Sequence, residues 1–445
     1  MRVNTFHSDG AMQREAFRRR VKSKQQRSGP SSGTSWRVLA AAMLVAGSTP
    51  TLGQEAHVHV PLTIDADMTW ATVMSTALEA YPRRVELAAR ETEAQALVER
   101  GKGLLAGAPT LYFSHLTDAM LDNNGQREYE AGVELPVWHA GQRRALTTLA
   151  GTAGAESSAA ASALRWEVAG QLRAVLWDIA SAANAADQAK DSVAVAEELL
   201  SAVERRNARG DLPLADVLLA RSALLEKQKS VIETRAGLLD AERTYRSLTR
   251  LDARPQDFSE TRSAREDFDA SHPLLALADA ELARAKANGE LVDRETRGNM
   301  LVTVGPRRQR DAQTALMNNS FAVGVTIPVG GKPIGAPERA RAARAVAEAE
   351  SRRGQLLRQL DLDLHEAEHT LSVVEDSLAL AKTQSDLAMQ QWQMAKSAFA
   401  QGEIELRDLL RIQDAAQNGV REASRLRIEQ GRQIAAINQA LGETP

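Results

Sequence analysis

The chain has no cysteine among its 445 residues, which excludes disulfide frameworks, thiolate metal sites, thiol nucleophiles and an acylated N-terminal cysteine together. Aromatic residues are only 4% and Gly and Pro total 42, so the turn-rich, aromatic composition of an all-β chain is missing. After residue 53 no run approaches the roughly 18 apolar residues of a spanning helix, so that part either stays in water or enters a membrane as a β-barrel. No Gly-x-Ser-x-Gly or Gly-Lys-Ser/Thr occurs; Gly330-Gly331-Lys332 runs into Pro333, which ends a phosphate-loop reading. What is abundant is Ala, Leu, Arg, Glu and Gln, with 43% hydrophobic and 25% charged residues, so the expected class is mainly α with short β.

Residues 1–53 carry nine Lys and Arg against Asp9 and Glu15, then an apolar run from Val38 to Val45 and small residues around Thr51-Leu52-Gly53. That order reads as an export signal with a long basic region. Removing its +7 from the overall −3 leaves −10, which argues against nucleic acid as a partner.

The remainder repeats itself. Ala208 to Leu219 matches Ala400 to Arg411, with Gly210 against Gly402 and Asp216 against Asp408, 192 residues apart. The same offset pairs Tyr129–Val137 with Phe321–Val329, and the spine Leu164, Val168, Leu172, Val175, Ile179, Ala182, Ala186 with Leu356, Leu360, Leu364, Ala367, Leu371, Val374, Leu378. Tyr81-Pro82 stands one residue off that register against His272-Pro273. A duplication accounts for all of these. It divides the chain into the signal at 1–53, a first repeat at 54–251, a connector at 252–271 around Pro255, and a second repeat at 272–442.

Each repeat reads as a helix, two short strands, one very long helix, a Gly turn and a returning helix. Steps of 3 and 4 along the spine are those of a coiled-coil seam. A helix from Arg143 to Arg206 would be about 90 Å long, and Gly210 and Gly402 separate such helices from returns at Leu214–Leu248 and Leu406–Leu441. In Tyr129–Val137 and Phe321–Val329 the odd positions are apolar and the even ones polar or small, which suits both a half-buried strand and a membrane strand with lipid on one side and water on the other. Pro109–Leu116 and Met300–Pro306 are their expected partners, joined through Asp122-Asn123-Asn124-Gly125 and the stretch 307–319. Four strands cannot close a barrel, because the smallest membrane barrels need about eight. Several chains must contribute, and three would supply twelve strands and twelve helices.

These residues together resemble the outer membrane efflux protein family, the TolC family, from about Met68 to Leu441. The resemblance implies a homotrimer with a 12-stranded β-barrel in outer-membrane lipid and an α-helical periplasmic barrel. Its implied work is that of a passive exit duct without cofactor, on the outer membrane of a Gram-negative bacterium, fed by an inner-membrane pump through a periplasmic adaptor (membrane fusion) protein. The Gly-x-x-x-x-x-Asp-hydrophobic-Leu pattern at Gly210–Leu218 and Gly402–Leu410 is similar to the family's tip turn and returning helix. Carried over, Arg209, Gly210, Asp211 and Leu212, with Gln401, Gly402, Glu403 and Ile404, are the adaptor-contact tips, and Asp216 and Asp408 lie near the tunnel constriction. Some members carry a second acid three residues after that Asp; here Leu219 and Arg411 stand there, and Arg411 can pair with Asp408 instead. Leu135 to Arg144 and Tyr81-Pro82 are similar to the cobalt, zinc and cadmium efflux branch that serves RND pumps, implying metal cations as cargo, although Gln142 replaces that branch's Lys.

Two rival readings stand beside this one. A periplasmic coiled-coil structural protein would carry the same helices with no barrel. His365-Glu366-Ala367-Glu368-His369 spells H-E-x-x-H, the helical signature of zinc metalloproteases. It lies midway along the long second-repeat helix, no further His follows it, and its counterpart at Arg173 to Trp177 has no such residues, so a solvated helix face is the expectation and no metal site is assigned. His57-Val58-His59 is expected to be inert. Tyr112, Tyr129, Trp138 and Phe321 are candidates for an interfacial aromatic girdle.

Overall fold

The computed structural model describes residues 60–329 and 333–445, so the export signal, His57-Val58-His59 and Gly330–Lys332 lie outside the described residues. In chain order the elements are β1 (Thr63–Asp65), α1 (Trp70–Ala80), α2 (Arg84–Lys102), β2 (Thr110–Thr117), β3 (Arg127–Val137), α3 (Gln142–Ala208), α4 (Leu214–Thr249), β4 (Ala253–Pro255), α5 (Pro273–Glu295), β5 (Met300–Arg310), β6 (Asn318–Thr326), α6 (Ala336–Gln401) and α7 (Leu406–Ala440). The chain is mainly helical with short strands, as its composition requires. The order helix, two strands, long helix, returning helix occurs twice, and outside it stand α1 and the three-residue strands β1 and β4. Before α2 stands α1, capped by the Thr69 hydroxyl accepting from the Thr72 N–H at 3.3 Å. Pro82 separates α1 from α2, because the residue before a proline is pushed out of the helical region, and Tyr81 is extended with ψ 124°.

The long helices α3 and α6 run 67 and 66 residues, about 100 Å each. Their spine is buried throughout apart from Ala182 and Leu356, which are half-buried. Toward the strands α3 lies between α2 and α5, and α5 reaches α6, making one tier in the order α2-α3-α5-α6. Toward the Gly turns α3 packs on α4 and α7, and α7 on α6, making a second tier in the order α4-α3-α7-α6. In the first tier Glu156 of α3, with 8% of its side chain exposed, is held by Arg90 of α2 at 2.7 Å and Arg284 of α5 at 3.1 Å. The outer helices of the second tier are open. Along α4, Leu218, Leu225 and Ile232 recur every seven residues and are exposed, and along α6 so are Val373, Leu380, Leu387 and Met394. A heptad row of large apolar side chains is the pattern of a coiled-coil contact.

The tiers are joined midway by a small polar core that the connector supplies. β1 and β4 pair in parallel, and the buried Tyr245 hydroxyl, its pKa pushed by burial up to about 12, donates to the Ala253 carbonyl at 3.1 Å. The guanidinium of Arg173, 4% exposed, reaches both carboxylate oxygens of Glu260 at 2.7 and 2.8 Å and the Glu443 carbonyl at 3.0 Å. Asn438 donates to Glu260 and to the Thr261 carbonyl, both at 3.0 Å, and accepts from the Ser263 N–H at 2.9 Å. His272 caps α5 by accepting the Leu274 N–H at 3.2 Å; burial, then nearby Arg265, hold its imidazole below the usual pKa, which keeps it a neutral acceptor.

The four-stranded sheet is antiparallel throughout in the order β2-β3-β5-β6, leaving β2 and β6 as unpaired edges. Its strands differ at their ends from the sequence expectation. β3 begins at Arg127 and β5 continues to Arg310, because those residues pair with each other and Glu128 pairs with Gln309. β6 starts at Asn318, opposite Gln309, and stops at Thr326, two residues before Pro328, which has no N–H to give a ladder. Gly305 of β5 faces the β3 backbone with no room for a side chain: an added Cβ would come within 2.0 Å of the Ala131 carbonyl oxygen. Gly305→Ala is therefore expected to lower sheet stability by about 1–3 kcal/mol. Gly151→Ala, in α3 with nothing within 4 Å of its Cβ position, is expected to raise stability by up to about 1 kcal/mol. Urea midpoints of the two variants, moving in opposite directions from the parent, check this pair.

Candidate functional site

Cross-strand partners share a face, so the register sorts every strand residue. One face carries the row Leu111-Val133-Val304-Val323, flanked by Leu135, Val302 and Val325 on one side and Phe113, Ala131, Pro306 and Phe321 on the other. These side chains are not buried: Leu111 is 81% exposed, Phe113 72% and Val323 66%. An apolar surface this continuous is far from ordinary for a face turned to water. The opposite face carries Thr110, Ser114, Glu128, Glu130, Glu134, Thr303, Arg307, Gln309, Ser320 and Thr326, with Gly132, Gly305, Ala322 and Gly324 between and apolar Leu116, Pro136 and Leu301 only toward its two ends. There Arg307 pairs with Glu128 at 2.7 Å, and the Tyr112 hydroxyl donates to Glu130 at 3.0 Å.

The aromatic candidates divide accordingly. Phe321 lies on the apolar face, and Tyr129 lies on the same face farther from the helices, stacked on His115 at 4.5 Å. Trp138, just past β3 on the helix side, donates to the Gly103 carbonyl at 3.0 Å. Tyr112 falls on the polar face, since its even register position opposes Gly132, whose missing side chain leaves room for the ring. The stretch after β3 turns through Gly141 at φ 83°, and Gln142, 1% exposed, donates to Asn299 at 3.1 Å.

At the far end of the helices both tip turns come together. Gly210 at φ 85° and Gly402 at φ 82° take left-handed conformations that a side chain would strain. Arg209 ends α3 and pairs with Asp211 at 3.2 Å, while the Leu212 carbonyl accepts from Asn207 at 2.7 Å. Gln401 ends α6, the Glu403 N–H donates to the Ala398 carbonyl at 2.9 Å, and Ile404 packs with Leu212 against a cluster drawn from all four helices, including Val203, Val217, Phe399 and Leu409. Asp216 and Asp408 both fall in the first turn of their helices, where a negative charge meets the positive end of the helix dipole. Arg411 lies 3.9 Å from Asp408, and both are exposed.

Sequence reasoning missed what ties the turns together. Arg206 donates to the Phe399 carbonyl at 2.6 Å and stacks over the Phe399 ring at 4.9 Å. Beside it a cleft of about 360 Å³ opens between α3 and α6, edged by Arg205, Arg209, Trp392 and Lys396. These residues sit in ordinary helical sequence, and only the meeting of two chain segments some 190 positions apart brings them into one place.

His365 and His369 lie on the exposed side of α6, rings parallel at 6.4 Å, and Glu368 is taken by Arg262 at 2.9 Å. No group of three or more metal-capable side chains exists among the described residues, and the motif lies on an open helix surface rather than in a cleft. Among the described residues no helix is long and apolar enough to cross a membrane.

No family model and no curated protein matches the sequence. Solved structures do match the fold. The outer membrane protein VceC of Vibrio cholerae superposes with a TM-score of 0.63 at 14% identity, over 84% of this chain and 95% of that one. CusC, whose crystal structures concern the conformational changes accompanying folding and transmembrane channel formation, gives 0.67 at 13% identity over 87% and 98%. The CmeC outer membrane channel of Campylobacter jejuni gives 0.64 at 13% over 92% and 94%. Such identities speak for the fold alone, a helical barrel segment carrying a β domain, which this chain shares with those channels.

Proposed function

We propose that the chain is one protomer of an efflux exit duct in the outer membrane of a Gram-negative bacterium. The observation that carries this is the sheet: one face an exposed apolar surface, the other polar, and both edges unpaired. Lipid covers such a face, and neighbouring chains close such edges. Three copies meet the closure requirement with twelve strands and give twelve helices in each tier, with the open heptad rows of α4 and α6 meeting between neighbours in a ring.

In this reading the two repeats, 54–251 and 272–442, each contribute two strands and a helical hairpin, and 252–271 is the connector. Substrates pass through by the work of an inner-membrane pump, with a periplasmic adaptor seated at Arg209–Leu212 and Gln401–Ile404. Asp216, Asp408 and Arg411 stand near the narrowing of the tunnel. The lumen side of the sheet has Glu128, Glu130 and Glu134 against Arg307, an excess of acid that favours cations and supports metal ions, delivered by an RND pump, as the cargo.

The test is to fractionate cells making the full-length chain and weigh the detergent-extracted species. A trimer in the outer-membrane fraction is the expected result. A soluble periplasmic monomer would overturn the duct and leave the coiled-coil structural protein in its place.

A further inference from the structure

The end of the sheet away from the helices carries a second pattern on its apolar face. Beyond the row of Phe113, Ala131, Pro306 and Phe321, the register places Tyr129 between His115 and Arg308, and in the next row Arg127 opposite Arg310. All of these lie on the face that bears the apolar rows, because the alternation is unbroken from Val137 to Arg127 and from Met300 to Arg310. Two guanidiniums directly opposed on neighbouring strands repel each other. Among the described residues no ion pair relieves them: Arg307, on the other face, has Glu128, whereas Arg310 donates only to the Gly125 carbonyl at 3.1 Å. The same two rows hold no carboxylate on this face; their other members are Thr117, His115 and Asn319. Where the apolar and basic rows meet, the surface is indented by a groove of about 320 Å³, with Phe113, Tyr129, Pro306, Arg308 and Asn319 among its walls and, from the row between them, Glu130 beside Arg307.

From this arrangement we infer that the outward face binds a phosphate-bearing lipid of the outer leaflet, an acylated sugar phosphate whose chains lie on the apolar rows and whose phosphates sit among Arg127, Arg308 and Arg310. The inference rests on the duct reading, which turns this face to lipid and this end of the sheet away from the periplasm. The chemistry is specific in two ways. Guanidinium forks match phosphate oxygens bidentately, and a phosphate between Arg127 and Arg310 converts a repulsive pair into a bridged one. The groove admits the start of an acyl chain directly below, so one amphiphile satisfies both rows.

The probe is lipid A bearing two phosphates, added to the detergent-extracted trimer and followed by native mass spectrometry and by the melting temperature. Dephosphorylated lipid A and inorganic phosphate are the comparison ligands. With each arginine near a charged membrane surface worth about 1 kcal/mol, replacing all three by glutamine is expected to weaken lipid A binding roughly a hundredfold. The Arg→Lys triple variant keeps the charge but loses the forks and is expected to bind between the parent and the glutamine variant, whereas Arg307→Gln on the opposite face is expected to bind as the parent does. Should the glutamine variant not assemble, Arg308→Gln alone carries the test, with an expected loss of about fivefold. Equal binding by the glutamine variants, equal binding of the dephosphorylated lipid, or a full melting shift from inorganic phosphate would each overturn the site. Failure to recover any trimer from outer membranes would instead remove the duct reading, and this site with it.

Discussion

Val304→Arg is expected to eliminate the trimeric outer-membrane species, while Thr303→Arg, one residue away, leaves it nearly intact. Val304 lies in the middle of the row Leu111-Val133-Val304-Val323, so a guanidinium there points into hydrocarbon under the duct reading. Arg or Lys at such a depth on a membrane barrel costs about 2–4 kcal/mol, and every trimer carries the change three times. Thr303 opposes Glu134 on the polar face, where an arginine finds water and a carboxylate. Quantifying trimer in outer-membrane extracts of the two variants decides the point. Equal, near-parental amounts from both would mean that the apolar face never meets lipid, and a soluble helical protein would then account for the chain better than a duct does.

Arg173→Ala is expected to be the most destabilising single change in the helical part. Arg173 is 4% exposed and its partner Glu260 has 12% of its side chain exposed, so truncation strands a carboxylate away from water. Breaking a buried pair in this way costs about 3–5 kcal/mol. The damage is spread by position, because the same guanidinium holds the Glu443 carbonyl of the C-terminal segment and bonds Gln439 of α7, tying α3, the connector and the chain end into one unit. Replacing both partners, Arg173→Met with Glu260→Leu, is expected to recover a large part of the loss, since no charge is then left unpaired. The urea midpoint of the helical circular dichroism signal measures all three. A single variant within about 1 kcal/mol of the parent, a loss typical of exposed pairs, would show that the network is solvated.

Much of this architecture was legible from local pattern. The seam from Leu164 to Ala186 and its counterpart from Leu356 to Leu378 announced helices of about the observed length, and alternation in Tyr129–Val137 and Phe321–Val329 announced a two-faced sheet. Strand ends were less legible, because Arg308 and Arg310 belong to β5 only through their partners Tyr129 and Arg127. The short helix α1 and the pairing of β1 with β4 left little sign in the sequence; two three-residue strands carry no period to read, and their register comes from a connector about 190 residues downstream.

At the tips, glycines 210 and 402 were readable because a left-handed turn needs glycine whatever surrounds it. The Arg206–Phe399 contact was not, because it depends on how two hairpins lie side by side. The H-E-x-x-H motif shows the same division from the other direction: five residues suffice to place two imidazoles one turn apart, but a catalytic zinc site needs a third ligand and a cleft, and the surface of α6 supplies neither among the described residues.

The sequence by itself determined the period of each segment, and with it the long helices, the two faces of the sheet and the sites of the turns, because those properties depend on residues within about four positions of one another. Only the tertiary structure decided which helices and strands stand at the open edges, which arginines are buried with a partner and which are left crowded without one. Those outcomes depend on contacts between segments far apart in the chain, and no local pattern encodes which distant surface will arrive.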